Sequence, residues 1–357
     1  MDKNSNDAKK REIEIARRYM DLIKFDKNWF TYKTGYTFGR CGQVSREEFE
    51  RRCSWFECRD EYAAVFHCMA QLYYFTLPML KKRMLEFKAE KVLPLVVTKE
   101  TYIESLLFDL IDLGAVVKLP FQPKDKKEAA MVKSPLSVFC LTGRGAQFFK
   151  DKTMYRGYIE EYAINKTAPE IFMRLSVNYV LTEFAPYIRK SGFKTKYCRF
   201  ERTNNEVKGS ERQPVHGTVE SDKHFVVFEG ISYDKDVAWT TEECTMSYIQ
   251  KRAQYLDDFY SNISSDRQKI IVFVIDDKDN IKRVWRDYSY VISRCDVIYF
   301  TSDSLIRNAA DGVAPFLQVW EPQKSAEKAD TGEINLLTRA EAPVFLSAAV
   351  KKTEKKI

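Results

Sequence analysis

The feature that most constrains the fold is a run of six apolar residues, Ile270–Ile275, with polar residues on both sides. A short and largely β-branched run of this kind is typical of a strand that is buried on both faces. Such strands occur in parallel sheets that helices cover, so we expect a helix on either side. Helical spacing of apolar residues predicts these helices at Thr240–Ile263 and Asn280–Ser293.

The segments around this run predict a sheet of mixed direction. A helix is expected from Pro169 to about Lys190, with Pro186 inside it. The connections on either side of Ile270–Ile275 are long enough for parallel crossovers. Further strands are predicted at Lys194–Arg202, Pro214–Glu220, His224–Ser232, Val297–Thr301 and Pro315–Trp320. The resulting α-β-β-β-α-β order is typical of nuclease cores and predicts a restriction-endonuclease-like α/β domain over residues 167–322.

An earlier stretch predicts a second domain. Helices are expected at Asp60–Phe75, Thr76–Leu85 and Lys99–Leu113, and Gly114 ends the third. Two strand segments follow, at residues 115–120 and 136–142, with a lysine-rich loop between them. Three helices and a hairpin form the order of a winged helix-turn-helix, which we place at residues 59–153. A helical bundle with an incidental hairpin is left open.

The fold class is therefore α+β or α/β, with a winged helix-turn-helix before a degenerate restriction-endonuclease-like domain. Residues 1–58 are predicted to be a helical extension, and residues 323–357 a polar tail of loose order. The N-terminal sequence has no apolar core of a signal peptide, and no apolar run is long enough for a membrane span. We therefore expect a cytoplasmic protein that does not contact membranes.

Composition narrows the class of partner. The 357 residues are 45% apolar and carry a formal charge of +7, which describes a globular, mildly basic protein. This charge permits a polyanionic partner without requiring one. Five metal-type residues lie within about thirty positions, but their spacing does not match the paired steps of zinc sites, so we expect no metal and no cofactor. They are Cys41, Cys53, Cys58, His67 and Cys68.

The predicted nuclease-like sheet has few catalytic groups. Metal-assisted phosphodiester hydrolysis needs at least two carboxylates for the cation and a positive group near the attacking water. Glu229 supplies one carboxylate, but Ile231 stands where a lysine is wanted. Val215 and His216 stand where the preceding strand should supply an aspartate. The sequence therefore favours a protein without catalytic activity.

A rearranged nuclease site is the alternative. Glu229 would be one ligand, and either Glu170 or Glu220 would be the second. Lys251, on the following helix, would replace the missing lysine of the strand. The competing interpretation is that Glu229 is a surface or strand-end carboxylate.

Nucleic-acid binding has its own candidates. The third helix carries Glu100, Glu104, Asp109 and Asp112, which fit a major groove poorly. The basic side chains of the second helix and of the hairpin loop are better suited to neutralise phosphates. The predicted DNA-binding residues are Lys81, Lys82, Arg83, Lys99, Tyr102, Lys124, Lys126, Lys127 and Lys133.

Short motifs across residues 60–300 carry a family resemblance. They read DLIDLGAVV at 109–117, VFCLTGRGAQFF at 138–149, RLSVNYVL at 174–181, FVVFEGIS at 225–232 and QKRAQYL at 250–256. Together they resemble the replication-relaxation family, the MobC-like plasmid mobilisation and replication proteins. In that family Pro-Asp usually lies on the strand before the glutamate, whereas this chain has Pro214-Val215.

The resemblance implies DNA binding in the transfer or replication of a plasmid or mobile element. We therefore expect a non-catalytic accessory protein that binds double-stranded DNA and helps a relaxase or a replication protein. A homodimer is left open. The alternatives are a metal-dependent nuclease with a rearranged site and a winged-helix scaffold whose acidic third helix docks another protein.

Overall fold

The computed structural model describes most of the segments with predicted structure. They are residues 60–89, 100–121, 136–142, 168–199, 215–231, 233, 242–264, 266–275, 278–302, 305–306, 316–319, 336–337 and 343–346, with the single positions 47, 51 and 145. Nearly all of the predicted N-terminal extension lies outside them, as do Cys41, Cys53 and Cys58. The chain divides into two compact units, and the boundary falls between Ile171 and Phe172. The described residues are of mixed α and β class.

The described residues of the first unit form three helices and a two-stranded sheet. The helices are α1 (Asp60–Leu72), α2 (Leu77–Ala89) and α3 (Glu100–Asp112). Strands β1 (Val116–Phe121) and β2 (Leu136–Leu141) pair antiparallel, with Val116 opposite Leu141. The predicted order of three helices and a hairpin is therefore present in this unit.

Two glycines shape the end of the first unit. Gly114 has φ 71° and follows α3, a conformation that glycine adopts without a steric cost. The Thr142 hydroxyl donates to the Gly114 carbonyl at 2.7 Å and accepts from the Gly145 amide at 3.1 Å. A Cβ on Gly145 would lie 2.1 Å from the Ala115 carbonyl oxygen. Glycine is needed at residue 145 because two stretches of backbone are in contact there.

The second unit is built on a seven-stranded sheet in sequential order. Its strands are β3 (Lys194–Arg199), β4 (Val215–Glu220), β5 (His224–Ile231), β6 (Gln268–Ile275), β7 (Val297–Thr301), β8 (Leu317–Val319) and β9 (Leu336–Leu337). The pairs β5–β6 and β6–β7 are parallel, and the remaining neighbours are antiparallel. The parallel centre agrees with the apolar run of β6, which is buried from Ile270 to Ile275.

Helices cover both faces of this sheet. Helix α5 (Glu242–Ser261) and the short helices α6 (Ile281–Asp287) and α7 (Ser289–Ser293) share one apolar core with the sheet. Helix α4 (Ala168–Lys190) packs against the sheet at two glycines, Gly217 of β4 and Gly230 of β5. A Cβ on Gly230 would lie 2.3 Å from the Met173 carbonyl oxygen, and one on Gly217 would lie 2.5 Å from Leu181 Cδ1.

Two predictions for the second unit were wrong in detail. The helix expected over Asn280–Ser293 is broken at Tyr288, which is buried with its ring centroid 5.4 Å from that of Phe273. The tail expected to be loosely ordered instead contributes β9 and a 3₁₀ turn, Val344–Leu346. Phe345 of that turn is fully buried, and it packs edge-on against Phe228 and two other aromatic rings.

Candidate functional site

The single carboxylate of strand β5 lies inside the protein. Glu229 is the sixth residue of β5, and only 1% of its surface is exposed. It shares the sheet face of Phe225 and Val227, because side chains alternate along a strand. Both of these residues belong to the core beneath α5. The interpretation of Glu229 as a surface or strand-end carboxylate is therefore wrong.

Arg252 of α5 neutralises this carboxylate. Its Nε donates to Glu229 Oε1 at 2.8 Å, and its Nη2 donates to Glu229 Oε2 at 2.6 Å. The arginine is itself 99% buried. Paired and charge-assisted bonds of this kind hold the guanidinium and the carboxylate in one plane. Both oxygens that could bind a cation are thus engaged by a cation of the protein itself.

His216 of β4 stands beside the pair as a neutral ring. The backbone amide of Gly230 donates to His216 Nδ1 at 3.1 Å, so Nδ1 carries no proton. Burial lowers the pKa of His216 well below its usual value, and the charges of Arg252 and Arg174 lower it further. Glu229 Oε2 lies 3.5 Å from Nδ1. Because Nδ1 accepts from the amide, this contact is not an ion pair.

The charge of the cluster depends on arginine. Burial raises the pKa of Glu229, whereas Arg252 and then Arg174 oppose that rise. Arg174 is 99% buried as well. The bidentate contact with Arg252 indicates an ionised carboxylate, since a protonated one would lose half of that pairing. The contacts therefore bring together one carboxylate, one guanidinium group and one neutral imidazole, and the charge of the buried Arg174 acts on the carboxylate and on the imidazole.

The other candidates of the rearranged nuclease site do not join this cluster. Glu220 is paired with Phe225 across β4 and β5, four residues before Glu229. At about 3.4 Å per residue, the two carboxylates are separated by roughly 14 Å along the strands. Glu220 contacts Lys196 and lies 3.8 Å from Arg267 Nη1. Lys251 is exposed, although its neighbour Arg252 is buried.

A metal centre does not assemble in the described part of the chain. Glu170 belongs to the first turn of α4. No group of three or more His, Cys, Asp or Glu side chains among the described residues is arranged to hold an ion. The arrangement that a rearranged nuclease would need, with two acids and an amine at one solvent-open point, is not formed by Glu229, Glu220 and Lys251.

One predicted DNA contact has to be corrected. Arg83 is 98% buried, and its Nε donates to Gln71 Oε1 at 3.0 Å. A guanidinium in this position cannot reach a phosphate, so Arg83 leaves the predicted set. Lys82 is half-buried, and Lys81 lies 3.8 Å from Glu104 of α3.

The remaining candidates are only partly placed. Tyr102 belongs to the first turn of α3. The hairpin-loop lysines and Lys99 lie outside the described residues; they are Lys99, Lys124, Lys126, Lys127 and Lys133. Two residues of the cysteine cluster are described, and Cys68 is a buried thiol. His67 hydrogen-bonds Gln71 at 2.9 Å.

The exposed face of α3 is acidic and partly apolar. Asp109 and Asp112 are exposed, Glu104 is half-exposed, and Phe108 is 51% exposed. These residues recur at helical steps of three and four, so they lie on one side of the helix. This composition is poorly suited to base edges, which present many acceptors in the major groove.

Sequence reasoning missed Arg252 and gave His216 no role of its own. The apolar positions Ile249, Leu256 and Phe259 define the buried stripe of α5. Arg252 follows Ile249 by three residues and precedes Leu256 by four, so it falls on that same stripe. A charged residue on an apolar stripe is the signal that could have revealed a buried partner for Glu229.

The chain was compared with known proteins in three ways. It matches no protein-family model, no curated protein and no solved structure. Among the helices of the described residues, none is both long enough and apolar enough to cross a bilayer.

Proposed function

We propose that this protein is a non-catalytic DNA-binding accessory protein of a plasmid or mobile element. In this proposal the first unit is a winged helix-turn-helix and the second is a degenerate restriction-endonuclease-like domain. The assignment to mobilisation or replication rests on the motifs that resemble the replication-relaxation family. A relaxase or a replication protein is the expected partner.

The observation that carries the proposal is the buried Glu229–Arg252 pair. In a metal-dependent nuclease the carboxylate of this strand must leave an oxygen free for a divalent cation. Here both oxygens accept from Arg252, and the space beside them is filled by the neutral ring of His216. A strand order typical of nucleases combined with a neutralised carboxylate favours binding without cleavage.

The charge distribution of the first unit suggests how DNA is bound. The exposed face of α3 carries Glu104, Asp109 and Asp112, so this helix is a poor reader of the major groove. The loop between β1 and β2 carries four lysines in its sequence. We therefore assign DNA contact to phosphates at the hairpin loop. This interaction weakens as the salt concentration rises, because the release of counterions from the DNA then contributes less free energy.

A titration of the full chain with labelled duplex DNA at two salt concentrations tests this proposal by fluorescence anisotropy. The triple variant Lys124→Gln, Lys126→Gln and Lys127→Gln should weaken binding evenly across sequences and flatten the salt dependence. A matched control replaces Lys194, Lys223 and Lys282, three exposed lysines of the second unit, and should leave affinity nearly unchanged. Binding that is indifferent to salt, or equal loss in both triple variants, contradicts loop-mediated contact.

The winged-helix docking scaffold remains the second candidate, because Phe108 is exposed among carboxylates on α3. It predicts no duplex binding at low salt, together with self-association that the variant Phe108→Ser removes in sedimentation velocity. The nuclease alternative predicts magnesium- or manganese-dependent plasmid cleavage that Glu229→Gln abolishes. Absence of cleavage in the wild-type protein removes that alternative.

A further inference from the structure

A groove in the second unit lies apart from the Glu229 cluster. Its volume is about 540 Å³, which is within the range of small-molecule sites. It runs between the exposed side of α5 and the junction of α6 and α7. The lining side chains used below are Gln250, Gln254, Asp257, Arg286, Asp287 and Tyr290.

Ion pairs and hydrogen bonds hold the walls of this groove in place. Arg294, just after α7, makes a two-point contact with Asp257 of α5, with Nη2 and Oδ2 at 3.1 Å. Asp287 accepts from the Tyr233 hydroxyl at 3.0 Å and from Arg286 Nε at 2.9 Å. The Arg294–Asp257 contact ties the two sides of the groove together, and the contacts of Asp287 fix one wall, so the groove is formed without a ligand.

An aromatic ring stands at the groove. Tyr290 is 79% exposed, the largest exposure among the large apolar side chains described. A single exposed aromatic residue is ordinary on a protein surface. Beside a preformed groove of ligand size, however, the ring offers a flat face on which a planar group can stack.

The polar groups of the groove suit the edge of a nucleobase. Gln250 and Gln254 are both exposed, and each carboxamide carries one acceptor and two donor hydrogens. Gln254 Nε2 donates to Asp258 Oδ1 at 3.3 Å, which leaves its second hydrogen and its oxygen for a ligand. A glutamine can pair with adenine through a donor and an acceptor at once. Arg286 is 68% exposed at the side chain and offers donors of the kind that bind a phosphate.

The charge of the groove selects a small ligand over a duplex. Among the described residues, three arginines and three aspartates lie on the groove or beside it, and the formal charges of these six side chains cancel. They are Arg283, Arg286, Arg294, Asp257, Asp258 and Asp287. A duplex backbone requires an excess of positive charge over several phosphates. A single nucleotide, with one phosphate and one base, does not.

We propose that this groove binds one unstacked nucleotide, with its base on Tyr290 and its edge against Gln250 and Gln254. The nucleotide comes either from single-stranded DNA or from a free nucleotide. Binding to single-stranded DNA rests on the proposed function and extends it. In that case the first unit contacts duplex DNA, and the groove holds a nucleotide from a segment whose strands are separated.

The experiment uses the full chain and a fluorescein-labelled deoxyadenosine oligomer of about ten nucleotides, measured by anisotropy. Tyr290→Ala should weaken binding about tenfold, since stacking of a base on an aromatic ring contributes strongly to affinity. Tyr187→Ala is the matched control, because Tyr187 is a second exposed tyrosine of the same unit, at 38% exposure. It should bind as the wild type does, and both variants should unfold at the wild-type temperature.

Two further arms identify the ligand. Gln250→Ala combined with Gln254→Ala should reduce the preference for the deoxyadenosine oligomer over a thymidine oligomer. In a competition experiment, unlabelled deoxyadenosine monophosphate displaces the labelled oligomer. If it does so at a concentration similar to that of unlabelled oligomer counted in nucleotides, the source is a free nucleotide. Much weaker competition indicates the strand.

Three results would overturn the inference. They are equal affinity of Tyr290→Ala and wild type, equal losses in Tyr290→Ala and Tyr187→Ala, and absence of wild-type binding to both the oligomer and the mononucleotide. The outcome is distinguishable from failure of the proposed function, which is tested by duplex binding and by the loop lysines. If the protein binds duplex DNA but Tyr290→Ala has no effect, the proposed function stands and the nucleotide site is wrong. If Tyr290→Ala weakens oligomer binding but the protein does not bind duplex DNA, the nucleotide site stands and the proposed function is wrong.

Discussion

The two carboxylates of the β4–β5 ladder lie in different environments although they are held by the same pair of strands. Glu229, the sixth of the eight residues of β5, is 99% buried and bonded through both oxygens to Arg252. Glu220, at the end of β4, retains 16% side-chain exposure and contacts Lys196, whose side chain is half exposed. Each carboxylate has a basic partner, but only the first pair is sealed from water.

The comparison shows that the groups packed over a strand carboxylate decide whether its oxygens are free to bind a ligand. At Glu229 helix α5 supplies a guanidinium in place of solvent, which neutralises the charge. At Glu220 water screens the charges, so the partners contribute little to stability. Perturbing the two ends separately tests how far this difference extends.

The largest effect is expected from Glu229→Gln. The amide leaves the Arg252 guanidinium buried without its counter-charge, and breaking a buried pair in this way typically costs about 3–5 kcal/mol. Chemical denaturation of the full chain measures the loss in the free energy of unfolding. Replacing Glu229 by Leu and Arg252 by Met together should recover much of it, because neither charge of the bonded pair is left buried without the other. A loss below about 1 kcal/mol in Glu229→Gln would contradict the buried pair.

An intermediate effect is expected from pH at His216. The pKa of its imidazole is lowered in the folded state, chiefly by burial, whereas the unfolded value is about 6.5. Below that pH the unfolded chain binds a proton that the folded ring does not. Stability contributed by the neutral ring is therefore present above pH about 6.5 and is lost as pH falls, by at most about 1.4 kcal/mol per pH unit.

Unfolding measured between pH about 5 and 8 tests this dependence. His216→Gln keeps an oxygen that accepts from the Gly230 amide but has no titrating ring, so its stability should fall less on acidification. His224→Gln serves as the control, because it makes the same substitution at the start of β5, five residues before Glu229. Equal slopes in wild type and His216→Gln would remove His216 as the source.

The smallest effect is expected from Glu220→Gln. Its pairs with Lys196 and Arg267 lie at a partly solvated edge, and exposed pairs contribute about 0–1 kcal/mol. The difference from wild type should shrink further at high salt, because ions screen the pair. A loss as large as that of Glu229→Gln would show that the two ends of the ladder are energetically alike.

Much of the fold could be predicted because local patterns agree with it. The helical stripe of α5, the apolar run of β6 and the glycine after α3 each predict an element that the structure contains. The break at Tyr288 was not predictable, because the apolar spacing continues through it. The pairing of Leu336–Leu337 with β8 was missed because a two-residue strand has no detectable period.

The candidate site was less predictable than the fold. The sequence identifies Glu229 as a carboxylate on a strand. It suggested Lys251 as the basic residue of the site, whereas the residue that bonds Glu229 is Arg252. The two residues are adjacent, and a helix turns about 100° between them, so only the packing of α5 decides which one faces the sheet. Arg83 shows the same limit, since its basic neighbours on α2 gave no sign that it is buried.

The sequence by itself determined the order of helices and strands, the parallel centre of the larger sheet and the glycine that ends α3. These follow from spacing of apolar residues and from backbone sterics, which act over a few residues. Tertiary structure alone decided that Glu229 meets Arg252 and His216, that Arg83 is buried and that Tyr290 stands beside a groove. These outcomes depend on how segments that are far apart in the sequence pack together and exclude water from the side chains between them.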